Sequence, residues 1–372
     1  MMENSQRLAH EDVRQKVLIV LELDSFFIGD TLIKMSYLKM IYEFWRQPLI
    51  NIVCNVEGVC ELLMHNPYVV RCEVSPIESI DPEAYAVIIV ISYREKTLLR
   101  NLEGRNSAWL HLLTSGKIIS LSQSHFKGEL FEGAVFPQNS QLNSFIERQD
   151  RPAAELFIQP SEREWADLWL AAKGVSTEDK VVVLVDSTSH KDKLMNTVEY
   201  FSIVRYFLGI PATKVLIFDE HAIGKRHLYA AFMEDDKLVE RVLFAEGVSL
   251  RQALCILSSN FVKVVIGPSS GLLHCISAIY KNGFEGEERR PLPLMIAYVC
   301  KYSVEQEEWN WWQGSLTRAL LIRNVSGENT IELLTGPGQK CTTCDQYTAG
   351  LLIKFIEDNY SKTMAELGMI RA

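Results

Sequence analysis

The sequence predicts an α/β chain built from two Rossmann-like domains with mostly parallel sheets, and three observations carry the prediction. Short, predominantly apolar runs recur along the chain, among them Val17 to Leu23, Lys180 to Val185 and Val262 to Ile266, as expected of strands buried on both faces. Each is followed by a polar turn and then by apolar residues at helical spacing, the βα alternation that closes into a covered parallel sheet. The alternation fades once, between Ser122 and Pro160, where Gly128, Gly133, Pro137 and Pro152 punctuate the chain, and then restarts. The expected division is therefore residues 1–160, residues 161–347 and a closing helical segment, 348–372, that returns to the first domain.

The elements follow in order. A strand over Val17 to Leu23 leads through Asp24 to Asp30 into one amphipathic helix, Thr31 to Trp45, ended before Pro48. Strands are expected at Leu49 to Val53, Val69 to Val74, Ala86 to Ser92 and Lys117 to Leu121, with helices near Val56 to Met64 and Glu95 to Leu102. The second half opens with a helix at Glu162 to Ala172 and continues with strand Lys180 to Val185, helix Thr197 to Leu208 and strand Lys214 to Phe218. A helix near Arg226 to Met233, a strand around Leu243, helix Leu250 to Ser258 and strand Leu292 to Val299 come later. The chain closes on helix Thr348 to Leu367. The stretch Val262 to Tyr280 is the most structured: a buried strand, the turn Gly267-Pro268-Ser269-Ser270-Gly271, and a helix carrying Leu272, Leu273, Cys275, Ile276 and Ile279 inward.

At 372 residues, 48% apolar and 23% charged, the chain can bury two cores, and disorder should not dominate it. A formal charge of -9 argues against a nucleic-acid binder, although basic residues between Lys34 and Lys127 could meet an anionic acceptor. The polar, acid-bearing start MMENSQRLAHEDVRQK fits neither a secretory signal nor a transit peptide, and no apolar run reaches membrane-spanning length, so a cytoplasmic location is expected. Cys54, Cys72, Cys255, Cys275 and Cys300 lie in apolar segments and read as small buried hydrophobes; only Cys341 and Cys344 have the spacing of a metal clip, without a second pair to complete it.

Three turns could bear chemistry, because ligands of such sheets sit beyond the carboxyl ends of the strands, here in a cleft between the domains. In the first, Asp30 beside Gly29 is either a carboxylate favoured by the helix dipole or a general base; Asp24 is the competing, more structural acid. The second, Asp186-Ser187-Thr188-Ser189-His190-Lys191-Asp192-Lys193, reads either as a solvated loop or as a grip on a diphosphate through hydroxyls and a lysine. The third offers the backbone N–H groups of Ser270 and Gly271 at a helix start to a phosphate, with His274 one turn in as a core histidine or a ligand contact. Glu220, just past a strand end, and Val248, just before a helix, are further candidates for ligand contact. The Glu234-Asp235-Asp236 run reads as a solvated surface, and Trp309, Trp311 and Trp312 as packing near the cleft rim or as a sugar-stacking surface.

Taken together, Ile28-Gly29-Asp30-Thr31-Leu32, the Ser187-Thr188 and Lys193 loop, and Ser269-Ser270-Gly271-Leu272-Leu273-His274 resemble the motifs of glycosyltransferase family 9, the bacterial heptosyltransferases. The likeness is one of motif and order and spans nearly the whole chain. Ser269 stands where the family has aspartate, Leu194-Met195 where Trp-Pro follows the lysine, and Ser25-Phe26-Phe27 lengthens the first turn. The resemblance implies the GT-B fold and an inverting transfer of a heptose-like sugar from a nucleoside diphosphate, ADP-heptose in the family, to a hydroxyl of a lipid-linked or surface glycan such as lipopolysaccharide. It implies Asp30 as base and Lys193 on the leaving diphosphate, with Ser187, Thr188, Ser269, Ser270, Gly271 and His274 on the donor. It further implies no metal or other cofactor, no nucleic-acid partner, and peripheral contact with the inner membrane face. The alternatives are a non-catalytic nucleotide- or glycan-binding relative and a GT-B-fold epimerase or hydrolase.

Overall fold

A computed structural model describes residues 14–22, 26–103, 111–112, 114–122, 133–149, 154–233, 236–285, 291–300, 312, 314–336, 338–340 and 342–370. Several sequence readings fall outside these residues: Asp24 and Ser25, Arg105, Lys127, Gly128, Pro152, Glu234 and Asp235, Trp309, Trp311 and Cys341.

The expected α/β class is what the structure shows, with two mostly parallel sheets. The first contains β1 (Lys16–Glu22), β2 (Leu49–Cys54), β3 (Val69–Val74), β4 (Val87–Ser92) and β5 (Ile118–Ser120), in the order β3-β2-β1-β4-β5, all pairs parallel. Its core is Leu18, Val20, Ile88, Val90 and Ile118 with Leu98 and Leu102 of the helix at Glu95–Glu103. These are the residues whose continuous apolar runs called for strands covered on both faces.

The second sheet holds β6 (Lys180–Leu184), β7 (Thr213–Asp219), β8 (Val242–Glu246), β9 (Val262–Pro268), β10 (Leu294–Tyr298), β11 (Arg318–Val325) and β12 (Glu328–Leu333), ordered β12-β11-β10-β9-β6-β7-β8. Among the described residues only the β11–β12 pair is antiparallel. This hairpin lay outside the sequence reading. Ser326 and Gly327 both take positive φ, at 56° and 93°, as a two-residue hairpin turn demands, and Ser-Gly between two apolar-alternating runs was its signal.

The single helix expected over Thr31 to Trp45 is two helices, α1 (Ile28–Met35) and α2 (Leu38–Phe44). The break has a local cause. The Ser36 hydroxyl donates to Ile33 O at 2.6 Å, and the Ser36 N–H is shared between Leu32 O and Ile33 O, so the serine turns the ladder's bonds back on the preceding turn. A further helix, Ser140–Glu147, stands in the stretch that seemed unpatterned; the Asn139 side chain caps it by accepting from the N–H groups of Gln141 and Leu142.

The compact units do not divide the chain at residue 160. One comprises residues 1–25, 37–60 and 66–150, the other 26–36, 61–65 and 151–372. Two short excursions of the N-terminal half thus belong with the second unit. Residues 61–65 are held there because Glu61 accepts from the Arg251 backbone N–H at 2.7 Å, while the Arg251 guanidinium forks onto Glu162 at 2.8 and 2.6 Å and donates to Phe157 O at 2.7 Å. Residues 26–36 carry α1. The closing helix, Ala349–Glu366, capped by Thr348, lies in the second unit as well, where Glu199 accepts from the Ala349 N–H at 2.7 Å and Leu352 and Ile356 join the main core.

Cys300 and Cys344 are joined by a disulfide across a sequence separation of 44 residues, so Cys300 is not the isolated buried hydrophobe it resembled and the Cys344 sulfur is engaged. Closing a loop of that length removes freedom from the unfolded chain, and Cys300→Ser is expected to cost up to about 4 kcal/mol of stability. Urea unfolding checks this: matching midpoints for the parent and the variant, both unreduced, would contradict it.

Candidate functional site

The stretch Val262 to Tyr280 folds as its pattern requires, β9 followed by the helix Gly271–Glu285. Two glycines set its geometry. A β-carbon at Gly267 would stand 2.6 Å from Val185 Cβ and 2.7 Å from Val185 O, so only glycine lets β9 lie against the end of β6. A β-carbon at Gly271 would stand 2.6 Å from Ile28 Cβ and 3.2 Å from the Gly29 nitrogen. The first turn of α1 therefore packs directly on the first turn of the Gly271–Glu285 helix, backbone against backbone.

That contact brings the three sequence-predicted turns together inside the second unit. Asp30 lies in the first turn of α1. Burial raises its carboxyl above the usual carboxylate range, against the opposing pull of Lys34, Lys193 and His190. Lys34 is one helical turn along α1 and buried; Lys193 and His190 belong to the loop after β6, and the Phe27 ring approaches His190 at 6.2 Å between centroids. His274 meets the same group from the third side. Its Cδ2 is 3.4 Å from where a Gly29 β-carbon would be, and burial, aided by the Lys193 charge, pushes its imidazole down to about 3, so it is neutral near pH 7.

The remaining predicted residues lie around this cluster or at its margin. Ser187 and Thr188 are half-buried at the head of the loop that ends at Lys193. Ser269 is buried and its N–H donates to Tyr298 O at 3.0 Å, which ties the turn to β10. Ser270 O accepts from the N–H groups of Leu273 and His274, as a helix-capping position should, while its side-chain oxygen is buried with no hydrogen-bond partner among the described residues. Val248 is half-buried just ahead of the helix Leu250–Leu257, where Ser249 and Gln252 form a reciprocal cap, and Glu220 is exposed beyond β7.

Three features escaped the sequence reading. Lys34 is the first, although its i+4 spacing from Asp30 on an amphipathic helix was visible. The second is the stacking of Trp312 on His274, centroids 4.0 Å apart and planes 15° from parallel, which makes this tryptophan a wall of the cluster; its indole N–H is buried and unpartnered among the described residues. The third is a buried network beneath the loop after β6: Lys225 donates to Asp186 and to Phe218 O, and the Tyr229 hydroxyl donates to Asp186 at 2.9 Å. Asp186 is thereby fully engaged as a support, and the loop it starts is anchored at its base.

Two parallel-sheet units and a cluster of turns beyond the strand ends define the GT-B architecture of two Rossmann-like domains. The chain has the fold of the heptosyltransferases of glycosyltransferase family 9. It is similar to E. coli ADP-heptose LPS heptosyltransferase II at 14% identity and a TM-score of 0.62, over 95% of this chain and 99% of that one. A glycosyl transferase family 9 protein from Veillonella parvula is 12% identical at a TM-score of 0.52, over 76% and 80%. E. coli heptosyltransferase WaaC with ADP is 14% identical at 0.51, over 94% and 99%. No protein-family model matches the sequence, and no curated protein matches it.

Two expectations follow from the packing. Gly271→Ala forces a methyl into the Ile28 contact and should cost about 1–3 kcal/mol, read as a lowered denaturation midpoint; an unchanged midpoint would mean the helices part easily there. His274 takes a proton in the unfolded chain near 6.5 but in the folded protein only near 3, so the unfolded state binds more protons between these values and stability rises with pH across that window. His274→Gln should therefore lose less melting temperature than the parent on acidification through this range. Parallel losses in a calorimetric pH series would show that His274 is not held neutral.

Proposed function

We propose that the chain is a glycosyltransferase that moves a heptose-like sugar, with inversion, from a nucleoside-diphosphate donor to a hydroxyl of lipopolysaccharide or another surface glycan. The observation that carries the reading is the meeting of Asp30 with Lys193, His190 and His274 on one fold shared with heptosyltransferases. A buried carboxylate beside cations has the makings of a general base, because its raised pKa brings it closer to the proton it must take. The amide-rich start of the Gly271–Glu285 helix, with the Lys193 ammonium, suits a diphosphate.

In this mechanism the Asp30 carboxylate takes the proton of the acceptor hydroxyl as that oxygen attacks the anomeric carbon. The bond from that carbon to the diphosphate oxygen breaks on the opposite face, and the nucleoside diphosphate leaves with the electron pair. Lys193 and the N–H groups at Ser270 and Gly271 stabilise the negative charge that appears, with Ser187 and Thr188 donating to the phosphates. The Ser270 hydroxyl, buried and unpartnered among the described residues, supports a polar ligand at this point, since buried hydroxyls are normally satisfied. Protein charge takes the part a metal ion could play, so the reaction is proposed to need none. The donor proposed is ADP-heptose, with Glu220 and Val248 near the base and Ser269 and His274 shaping the phosphate turn. The protein is proposed to work in the cytoplasm with peripheral contact to the membrane that holds the acceptor; among the described residues no helix is long and apolar enough to cross a membrane.

Asp30→Asn should lower kcat by about a hundred- to ten-thousand-fold with donor affinity retained, measured by release of nucleoside diphosphate in the presence of acceptor. The acidic limb of kcat/KM should lie above the ordinary carboxylate range, because burial raises Asp30, and Lys193→Met should move it higher still by removing a charge that favours the ionised form. Full activity of Asp30→Asn would overturn the assignment of the base. Equal nucleoside-diphosphate release without any acceptor would point instead to a hydrolase.

A further inference from the structure

Three cysteines of the first unit converge on one point remote in sequence from the turns discussed above. Cys54 is the last residue of β2, Cys60 lies on the helix Glu57–Leu63 that follows it, and Cys72 is on β3. In the parallel β2–β3 pairing Ile52 is opposite Cys72 and Cys54 is opposite Val74, so Cys54 and Cys72 point to the same face, two residues apart along the ladder. The helix crosses that face and directs Cys60 between them. Its Sγ is 2.9 Å from Cys72 Sγ and 3.8 Å from Cys54 Sγ, and all three sulfurs lie within 4.8 Å of one another. We propose that Cys54, Cys60 and Cys72 form a three-thiolate site for a thiophilic metal cation of the Zn2+ class.

The chemistry of the three groups favours a cation over three free thiols. Zinc binds thiolate sulfur at about 2.3 Å, so three sulfurs on one ion stand about 4 Å apart, within the span seen here. The trio is not sealed in the core: Cys54 is buried, but Cys60 and Cys72 are half-buried, which leaves an ion a way in and a place for a water as fourth ligand. A bound divalent ion would offset the repulsion among three thiolates held this close. Cys255 and Cys275 are buried elsewhere, and among the described residues no other group of three candidate ligands draws together.

The test uses the full chain, reduced with a phosphine, stripped with a chelator and titrated with Zn2+ against a chromophoric competitor. One Zn2+ per chain is expected to bind, each of Cys54→Ser, Cys60→Ser and Cys72→Ser weakening it by more than about tenfold, because loss of a ligand costs at least as much as loss of its outer-shell partner. Cys341→Ser/Cys344→Ser should leave this binding unchanged. A readout that needs no variant accompanies it: Zn2+ should protect the peptides bearing Cys54, Cys60 and Cys72 of the parent chain from alkylation, as mapped by mass spectrometry. Binding lost in the Cys341/Cys344 variant, protection of other cysteines only, or no binding tighter than to a chain with all three cysteines replaced would overturn the proposal. So would a Cys60–Cys72 disulfide in freshly purified, unreduced protein that returns after reduction in the presence of Zn2+.

Discussion

The candidate site depends on a contact that glycine at position 271 permits. A β-carbon there would collide with Ile28, so the first turns of two helices meet with no side chain at that point. Because of that approach, residues 26–36 leave the first unit and pack as part of the second. The carboxylate of Asp30 and the loop ending in Lys193 are consequently held by one packed body, and their spacing is set by helix packing and by the anchoring of that loop through Asp186, Lys225 and Tyr229.

The electrostatics of the cluster follow from the same packing. Burial alone would favour a protonated Asp30, while Lys34, Lys193 and His190 favour the carboxylate, and burial has the larger effect. At His274 the balance is different, because burial and the Lys193 charge act in the same direction and leave a neutral ring. A neutral imidazole flattened on Trp312 offers one donor and one acceptor without adding a charge next to Lys193.

The fold was legible in the sequence because its strands are buried on both faces, which makes them short, near-continuous apolar runs bounded by turn residues. Val17 to Leu21, Val181 to Leu184 and Val262 to Ile266 all became central strands. The misses have a common origin in short-range polar chemistry. Ser36 divides a helix through one hydroxyl bond to Ile33, and Ser326-Gly327 closes a hairpin through two positive φ angles, neither of which alters the apolar pattern around it. For the site, the residue types and their three turns could be read, but their meeting could not. That meeting rests on the reassignment of α1 to the second unit, a tertiary contact with no periodic signature, and the stacking partner Trp312 is far from His274 along the chain.

Polar groups at the strand ends of the second sheet sort into two kinds. The Asp219 carboxylate accepts from the N–H groups of Ile223, Gly224 and Lys225, and both oxygens of Asp186 are engaged, by Lys225 and Tyr229. Groups partnered in this way stiffen the turns. The Ser270 hydroxyl and the Trp312 indole N–H are the reverse, both buried and both without a partner among the described residues. An unmet buried donor costs about 1–3 kcal/mol, a cost that a ligand placed there would relieve on binding. The two flank His274 in the third turn, the one by sequence and the other by stacking, so the unmet hydrogen-bonding capacity lies beside the same cluster that holds Asp30 and Lys193.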